Sequence, residues 1–430
     1  MLNPVRKYGG KIGKMTILTF IKQNKMLALT NSAVGLYFLI TLLFKGSHNI
    51  GFALLVATGI IFAIYHVVKK QSVDFIPQDK WITISFVFYV LVFLLSLLVN
   101  GGKMSELDNP SRALLVLPLI LLFIKYPPKL TILLVCIPVG AVIAGIVALI
   151  HRFVLHYIRA FEHQMQIQAG DIAMSLGMFS FAIALYFVYK KQTKLTALCF
   201  IASLCGILAS LLSTARGGWV GVPFILGMIF WVYRKQLSKK VVGIVSTVLV
   251  VLIAVAVMIP QTRITQRLQQ MERDISVYVD KNNAGTSLGA RFEMWKSAVL
   301  MAKEKPLLGW GAEGSNQQRK EQAKQKLVHP VVGNFTHAHN QYLDDLSKRG
   351  ILGLFALFGV LFVPLGYFWK NMASQHATIK LTALLGSIHI ISVMFYCLSQ
   401  GFLAHNSGTI FYFLVTIIFY GTLKQQIKQA

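Results

Sequence analysis

The chain has 430 residues, of which 55% are hydrophobic and only 13% are charged. A water-soluble domain carries about 25% charged residues, so this composition excludes an ordinary soluble enzyme and indicates a polytopic membrane protein. The net charge of +27 would suit a nucleic-acid-binding protein, but most lysines and arginines lie in short clusters between apolar runs. That distribution is typical of charges that orient membrane helices or contact lipid phosphates, so we expect membrane lipids and no nucleic acid as partners.

Twelve apolar runs are candidate membrane spans, and they predict an all-α fold. They lie at 27–44, 50–68, 81–99, 110–124, 131–150, 172–189, 195–212, 217–233, 241–259, 351–368, 378–398 and 407–423. The fourth run is short and contains Pro118. If it is omitted, the basic clusters at 190–194 and 234–240 fall on the opposite side of the membrane from the other basic clusters, against the positive-inside rule. We therefore predict about twelve spans with both termini in the cytoplasm.

One connection is much longer than the others. Residues 260–350 separate spans nine and ten, on the predicted outer side, and carry 14 Lys/Arg against 9 Asp/Glu. Long connections escape the charge rule, and a connection of this length is usually functional. We therefore divide the chain into spans one to nine (1–259), a large lid-like external loop that carries the chemistry (260–350), and spans ten to twelve (351–430).

The large loop contains two predicted helices. Apolar residues recur at helical spacing over 287–301, with Ser287 as the expected N-cap. Pro306 and the sequence Gly-Trp-Gly at 309–311 predict a break into irregular chain. A second short helix is expected over 340–349, with Gly350 at its C-cap.

Two histidines lie beside the start of this second helix. His339 suits a general base because imidazole titrates near neutral pH, although a histidine bonded to a loop carbonyl is an alternative. His337 is expected to orient its neighbours or donate to a substrate, and Asn340 is a further candidate for binding. A third metal ligand is not evident, so we expect no metal and no cofactor. The four cysteines lie inside apolar runs and are interpreted as small buried hydrophobic residues.

Arginines on the predicted outer side are the second group of candidates. Arg216 lies in a polar turn between two apolar runs, where an arginine is costly and therefore a functional hypothesis, although a cation at a helix end could also reach water. Arg291 lies one helical turn before Trp295, and its alternative is a solvated helix face paired with Glu293 or with the neighbourhood of Glu304. Weaker candidates are Arg263 and Arg267, which could be interfacial anchors, and Arg152 and Arg159 in the 151–171 loop, which could contact acceptor phosphates.

Guanidinium groups match phosphate oxygens in a bidentate way and remain charged. A set of outer arginines with one histidine therefore suits a lipid-linked pyrophosphate donor. Arginine would neutralise the leaving group in place of a divalent metal, while histidine removes a proton from an acceptor hydroxyl.

The chain also resembles a known family. His339-Asn340, nine further residues and then Gly-Ile-Leu-Gly at 350–353 resemble the H-N-x9-G-x-x-G signature of bacterial O-antigen ligases. The preceding Arg291, Trp295, Pro306 and Gly-x-Gly at 309–311, and an outer-turn arginine matched by Arg216, are similar to the wider ligase and polymerase superfamily. These motifs cover about 213–353.

The resemblance implies a twelve-helix bacterial inner-membrane glycosyltransferase of GT-C-like architecture. It would transfer O-antigen polysaccharide from undecaprenyl pyrophosphate to lipid A-core on the periplasmic face, during lipopolysaccharide biosynthesis, by metal-independent and inverting chemistry. His339 would be the base, and Arg216 and Arg291 would hold the pyrophosphate. An O-antigen polymerase and a ligase that glycosylates protein remain alternatives, and a transporter is less favoured because the apolar runs hold little internal charge.

Overall fold

The computed structural model describes residues 25–70, 72–215, 217–235, 264–281 and 284–430, together with residues 243 and 247. The α-helices are, in chain order, α1 (Lys25–Ile40), α2 (His48–Val68), α3 (Pro77–Asn100), α4 (Arg112–Leu115), α5 (Pro118–Lys125), α6 (Leu130–Leu149), α7 (Gln166–Tyr189), α8 (Thr193–Ser213), α9 (Gly217–Val220), α10 (Val222–Tyr233), α11 (Ile264–Lys281), α12 (Ser287–Glu304), α13 (Gly311–Lys324), α14 (Gln341–Asn371), α15 (Ala377–Ser399) and α16 (Asn406–Gln429). Short 3-10 helices lie at Met104–Leu107, Pro330–Asn334 and Phe402–Ala404. In the described part of the chain all regular structure is helical, as predicted.

Eight of the described helices are long and apolar enough to cross a membrane. Two further apolar helices, Lys25–Ile40 and Gly217–Tyr233, are shorter, and the fourth predicted span is divided between α4 and α5, with Pro118 at the first position of α5. The ninth predicted span, 241–259, lies outside the described residues apart from two isolated positions. The chain is thus a multi-pass membrane protein, and the total of twelve spans stays a prediction.

Two helices, α7 and α16, form the centre of the bundle, because 89% of the most apolar window of each is buried. Small residues allow α7 to pack closely on α8: a Cβ on Gly206 would lie 2.7 Å from the Gly177 nitrogen. Such small-residue contacts are the usual means of bringing membrane helices together.

The bundle has two chemically different ends. At one end Lys424 of α16 forms an ion pair with Asp79 of α3, and Tyr420 donates to the same carboxylate. At the other end the short connections meet one another: Asn109 donates to the Ala404 carbonyl, and Asn406 donates to Asn49. The described part of the large loop, the long segment that follows α10, packs at this second end, where Gly311 approaches Asn100 at the end of α3.

The described part of that segment, 264–281 and 284–350, is largely helical. A small hydrophobic cluster, which includes Met294, Val328 and Val332, joins α12 and α13 to the 3-10 helix at Pro330–Asn334. The predicted helix over 287–301 is present, but its N-cap is Thr286 rather than Ser287, since the Thr286 hydroxyl accepts from the Gly289 amide at 3.1 Å. The helical structure is interrupted between Glu304 and Gly311, as Pro306 and the two glycines predict.

Gly350 ends the first part of α14, which agrees with the predicted short helix up to Arg349. Its φ of 62° and ψ of −158° are not helical, so α14 consists of two helical parts, Gln341 to Arg349 and Ile351 to Asn371, joined by a kink at Gly350. A Cβ on Gly350 would lie 2.3 Å from the Leu307 carbonyl carbon, and the Ile351 amide donates to the Pro306 carbonyl at 2.7 Å. Gly309, also with positive φ, approaches Lys348 as closely. The two glycine motifs are therefore the two sides of one backbone contact, which fixes the long segment to α14.

Candidate functional site

The backbone turns sharply at residues 336–340, just before α14, and this segment is called the histidine turn below. His339 has a positive φ of 48°, which is uncommon for a residue with a side chain. Asn340 is the N-cap of α14, and its side-chain oxygen accepts from the Tyr342 and Leu343 amides at 3.0 and 3.2 Å. The cap holds the helix end in place, and the strained residue before it presents the imidazole.

His339 is half-buried and bonded through one ring nitrogen. Its Nδ1 lies 3.0 Å from Gln400 Oε1, and its ring lies 4.1 Å from the His337 ring, between centroids. Burial lowers the pKa of His339 below the ordinary imidazole value; the bond to Gln400 raises it, and the positive charge of Arg291 lowers it again. Because a lowered pKa keeps imidazole neutral at pH 7, His339 has the protonation state that a general base requires.

His337 has a different environment. Its Nδ1 lies 3.3 Å from the Thr336 hydroxyl, and its Nε2 is buried without a hydrogen-bond partner among the described residues. Burial and the neighbouring His339 lower the pKa of His337 to about 4. It is therefore a neutral ring beside His339, with one nitrogen that a ligand could bond.

Arg291 lies on α12 and lines a cavity of about 310 Å³. The other walls are formed by α7, α11, the turn after α8 and the end of α15, with Arg159, Ser213, Gly217, Asp274 and Ser399 among the lining residues. The alternative pairing of Arg291 with Glu293 is not found, since Glu293 accepts from the Tyr278 hydroxyl and from the His329 amide. Arg291 thus faces a cavity whose lining does not include His339, and it influences His339 through its charge, which lowers the pKa of the imidazole.

The other predicted arginines are distributed as follows. Arg216 and Arg263 lie outside the described residues, and the side chain of Arg267 is not described, although Ser213, Ala215 and Gly217 around Arg216 line the Arg291 cavity. Arg159 lines the same cavity. Arg152 donates to the Tyr157 and Ile158 carbonyls, so part of its guanidinium binds its own loop.

Trp295 positions the chain beside His339. Its indole nitrogen donates to the Ala338 carbonyl at 3.0 Å, and the Ala338 amide donates to Asp344 Oδ1 at 3.0 Å. Ala338 is therefore held on both sides by side chains from α12 and α14. The Arg-x-x-x-Trp spacing places one residue at the cavity and the other against the histidine turn.

The acidic residues of α14 form a buried network. Asp344 pairs with Lys348 at 2.8 Å and with Arg319 of α13 at 3.5 Å. Asp345 pairs with Arg349 and accepts from Gln341 at 2.9 Å. These carboxylates are occupied by internal partners, which is the arrangement that buried charges require.

Sequence reasoning missed Gln400 and His405. Gln400 caps α15 in extended conformation and is only 3% exposed, and its Nε2 lies 3.0 Å from His405 Nε2. His405 lines a second cavity, of about 410 Å³, with Lys45, His48 and His163. The only available signal was the polar interruption between the last two apolar runs, which did not indicate contact with His339.

Within the described residues, no group of three or more His, Cys, Asp or Glu side chains is placed to hold a metal ion. The expectation that the chemistry needs no metal stays a prediction. The cysteines are unpaired, with Cys199 and Cys397 buried and Cys136 and Cys205 half-buried in the helix bundle.

A family model matches the part of the chain that contains the signature residues. Residues 198–358 match the family model described as O-Antigen ligase, and this segment contains α12, the glycine contact and the histidine turn. The chain is also 41% identical to an uncharacterized protein of Haemophilus influenzae, over 398 residues that cover 92% of this chain and 99% of that relative. The multi-pass chain therefore belongs to the O-antigen ligase superfamily.

Proposed function

We propose that the protein is an O-antigen ligase, a glycosyltransferase of the bacterial inner membrane. It moves O-antigen polysaccharide from undecaprenyl pyrophosphate to a hydroxyl of lipid A-core on the periplasmic face, with inversion at the anomeric carbon and without a metal. Membership of the superfamily supports a glycosyltransferase-like enzyme acting on lipid-linked polysaccharide. The finer assignment of donor, acceptor and membrane face is the proposal.

The observation that carries the proposal is a neutral His339 whose pKa is lowered by the charge of Arg291, at the end of the bundle where the polar connections meet. In the reaction, His339 removes the proton from the acceptor hydroxyl as its oxygen bonds the anomeric carbon. The bond from that carbon to the phosphate oxygen breaks, and the pyrophosphate keeps the electron pair. A general base increases the rate of such a reaction by a factor of about 10²–10⁴.

The leaving group needs positive charge, and arginine supplies it at the cavity. Arg291, with Arg159 nearby on the cavity wall, is supported as a phosphate ligand because a guanidinium group stays charged and bonds two oxygens at once. We assign the same role to Arg216 on the basis of the cavity walls that its chain neighbours form. On weaker ground, Arg263 and Arg267 are assigned to phosphate binding because they follow the ninth apolar run in the sequence, and Arg152 is assigned to acceptor phosphates because it lies in the 151–171 loop.

The direct test is transfer in vitro from undecaprenyl-pyrophosphate-linked O-antigen to lipid A-core by the purified protein. His339→Ala should lower the transfer rate about a thousandfold. His376→Ala is the matched control, because His376 is exposed in the connection between α14 and α15, at the other end of the bundle. Unchanged transfer by His339→Ala would remove His339 as the base.

A deletion strain separates the activities within the superfamily. A ligase predicts lipopolysaccharide without polysaccharide while lipid-linked polymer accumulates. Lipopolysaccharide capped by a single repeat unit would indicate a polymerase, and loss of a glycosylated protein would indicate a protein ligase. Either of these results would overturn the proposed acceptor.

A further inference from the structure

The Gln400 side chain joins two imidazole rings that are far apart in the chain. Its Oε1 lies 3.0 Å from His339 Nδ1 and its Nε2 lies 3.0 Å from His405 Nε2. The backbone of Gln400 is fixed, since its backbone N–H donates to the Tyr396 carbonyl and its backbone carbonyl accepts from the Phe402 N–H. The carboxamide is therefore a rigid bridge with one hydrogen-bonding atom directed at each ring.

A carboxamide has an acceptor at one end and a donor at the other. In the orientation described, the Gln400 oxygen accepts, so His339 must carry its proton on Nδ1, and the Gln400 NH₂ donates to an unprotonated nitrogen of His405. The reverse orientation would make His339 Nδ1 an acceptor and put its proton on Nε2. Only the first arrangement leaves the Nε2 lone pair of His339 available to take a proton.

We propose that Gln400 is a positioning residue that fixes His339 in its Nδ1–H tautomer, and that His405 fixes the orientation of the Gln400 amide. The inference rests on the proposed function and deepens it. When His339 Nε2 takes the proton of the acceptor hydroxyl, the resulting imidazolium keeps its Nδ1–H bond to the Gln400 oxygen. The group that orients the base thus also stabilises its protonated form.

The charged and titratable groups around His339 come from several elements. His337 precedes it in the same turn, Asp344 lies on α14, Arg291 on α12, and His405 follows the end of α15. Burial, and the proximity of His339, lower the pKa of His405, so His405 is neutral and able to accept from the Gln400 amide. A neutral amide between two neutral rings adds no charge beside the pyrophosphate, whereas a carboxylate there would repel it.

The first test reads the tautomer directly and does not depend on transfer activity. NMR of the full-length protein with ¹⁵N-labelled histidine, with the His339 resonances identified by their loss in His339→Ala, should show the Nδ1–H form. His405→Ala should add an Nε2–H population because the amide is then free to turn. An Nε2–H tautomer in the unsubstituted protein would overturn the inference, whatever reaction the protein catalyses.

The second test uses opposite substitutions at one position. Gln400→Ala removes a hydrogen bond that raises the pKa of His339. The transfer rate should therefore fall about tenfold, and the acidic limb of the pH–rate profile should move to lower pH. Gln400→Glu keeps an acceptor for Nδ1–H and places a negative charge beside the ring, so the acidic limb should move to higher pH. A purely structural role predicts lower rates with no opposed movement of the limbs.

Gln317→Glu is the matched control, because Gln317 is an exposed glutamine on α13. It adds the same charge to the long segment that carries His339, and it should leave the acidic limb of the pH–rate profile in place. Limbs that move together, or that move equally in Gln317→Glu, would overturn the positioning role. If the protein transfers no glycan at all, the proposed function fails while the NMR result still decides the tautomer.

Discussion

The polar stretch from Thr336 to Gly353 contains two regions whose side chains are used differently. From Asn340 onward, the polar groups bond within the protein: Asn340 caps α14, and Asp344 and Asp345 are paired with basic residues. Before Asn340, His337 has an unbonded nitrogen, and His339 is hydrogen-bonded only to Gln400 among the described residues. The first region builds the helix end, and the second retains bonding capacity for a ligand.

The difference explains why charge density is a poor guide to chemistry in this segment. The most charged residues lie in the structural region, where a buried ion pair offsets the cost of removing each charge from water. The residues of the other region are neutral rings with lowered pKa values. Substitutions in the two regions should therefore change different measured quantities, stability in one and rate or pH dependence in the other.

The largest effect should come from Asp345→Ala in the structural region. It leaves the buried guanidinium of Arg349 without its partner and should lower the free energy of unfolding by about 3–5 kcal/mol. The measurement is thermal unfolding in detergent. Glu321→Ala is the control, since its ion pair with Lys324 is exposed and should contribute less than about 1 kcal/mol. Equal losses for the two would contradict the buried network.

Arg291→Gln should lower transfer about a hundredfold with little loss of stability, as removal of one charge-stabilising donor does. It should also change the pH profile. Arg291 lowers the pKa of His339, so the substitution should raise that pKa. When the pH is lowered, the imidazole then becomes protonated, and inactive as a base, at a higher pH than in the unsubstituted protein. The acidic limb therefore moves to higher pH.

Lys296→Gln controls for the loss of one positive charge from α12, because Lys296 is exposed on the same helix. It should leave both the rate and the limb unchanged. An acidic limb that stays in place in Arg291→Gln would separate Arg291 from His339.

Asn340 lies at the boundary of the two regions, and its role can be decided by substitution. Asn340→Ala removes a cap and should cost about 1 kcal/mol of stability, whereas Asn340→Ser keeps a capping oxygen and should restore most of it. Thermal unfolding and transfer rates should follow each other across the two variants. Full stability with poor transfer in Asn340→Ser would instead favour Asn340 as a substrate ligand.

The smallest effect should come from Trp295→Phe, which removes the bond from the indole to the Ala338 carbonyl. A single neutral hydrogen bond contributes about 1 kcal/mol, so transfer should fall about fivefold as the histidine turn loosens. Trp310→Phe is the control, since its indole donates to the Met301 carbonyl. A greater loss of transfer in the control would show that this bond does not position His339.

Much of the framework could be predicted from the sequence, but less of the site. The helices follow the predicted apolar runs wherever those runs are described, and Pro306 with Gly309 predicted the break after α12. The error at the start of α12 was local, since the choice between Thr286 and Ser287 as the cap depends on which backbone groups are left to bond after packing. The helix α13 was not predicted because its polar sequence lacks a strong apolar period. The helix α11 was also not predicted, although apolar residues recur at helical spacing in it, at Ile264, Leu268, Met271, Ile275 and Val279.

The sequence by itself determined the membrane-spanning class, the polar segment and the signature residues His339 and Arg291, because hydropathy and short spacings are properties of neighbouring residues. Only the tertiary structure decided that Gln400, 61 residues after His339, bonds its imidazole, and that Gly350 packs on Leu307. These contacts join segments whose separation along the chain carries no periodic signal. Their geometry arises from the packing of α14 against α15 and of the long segment against α14.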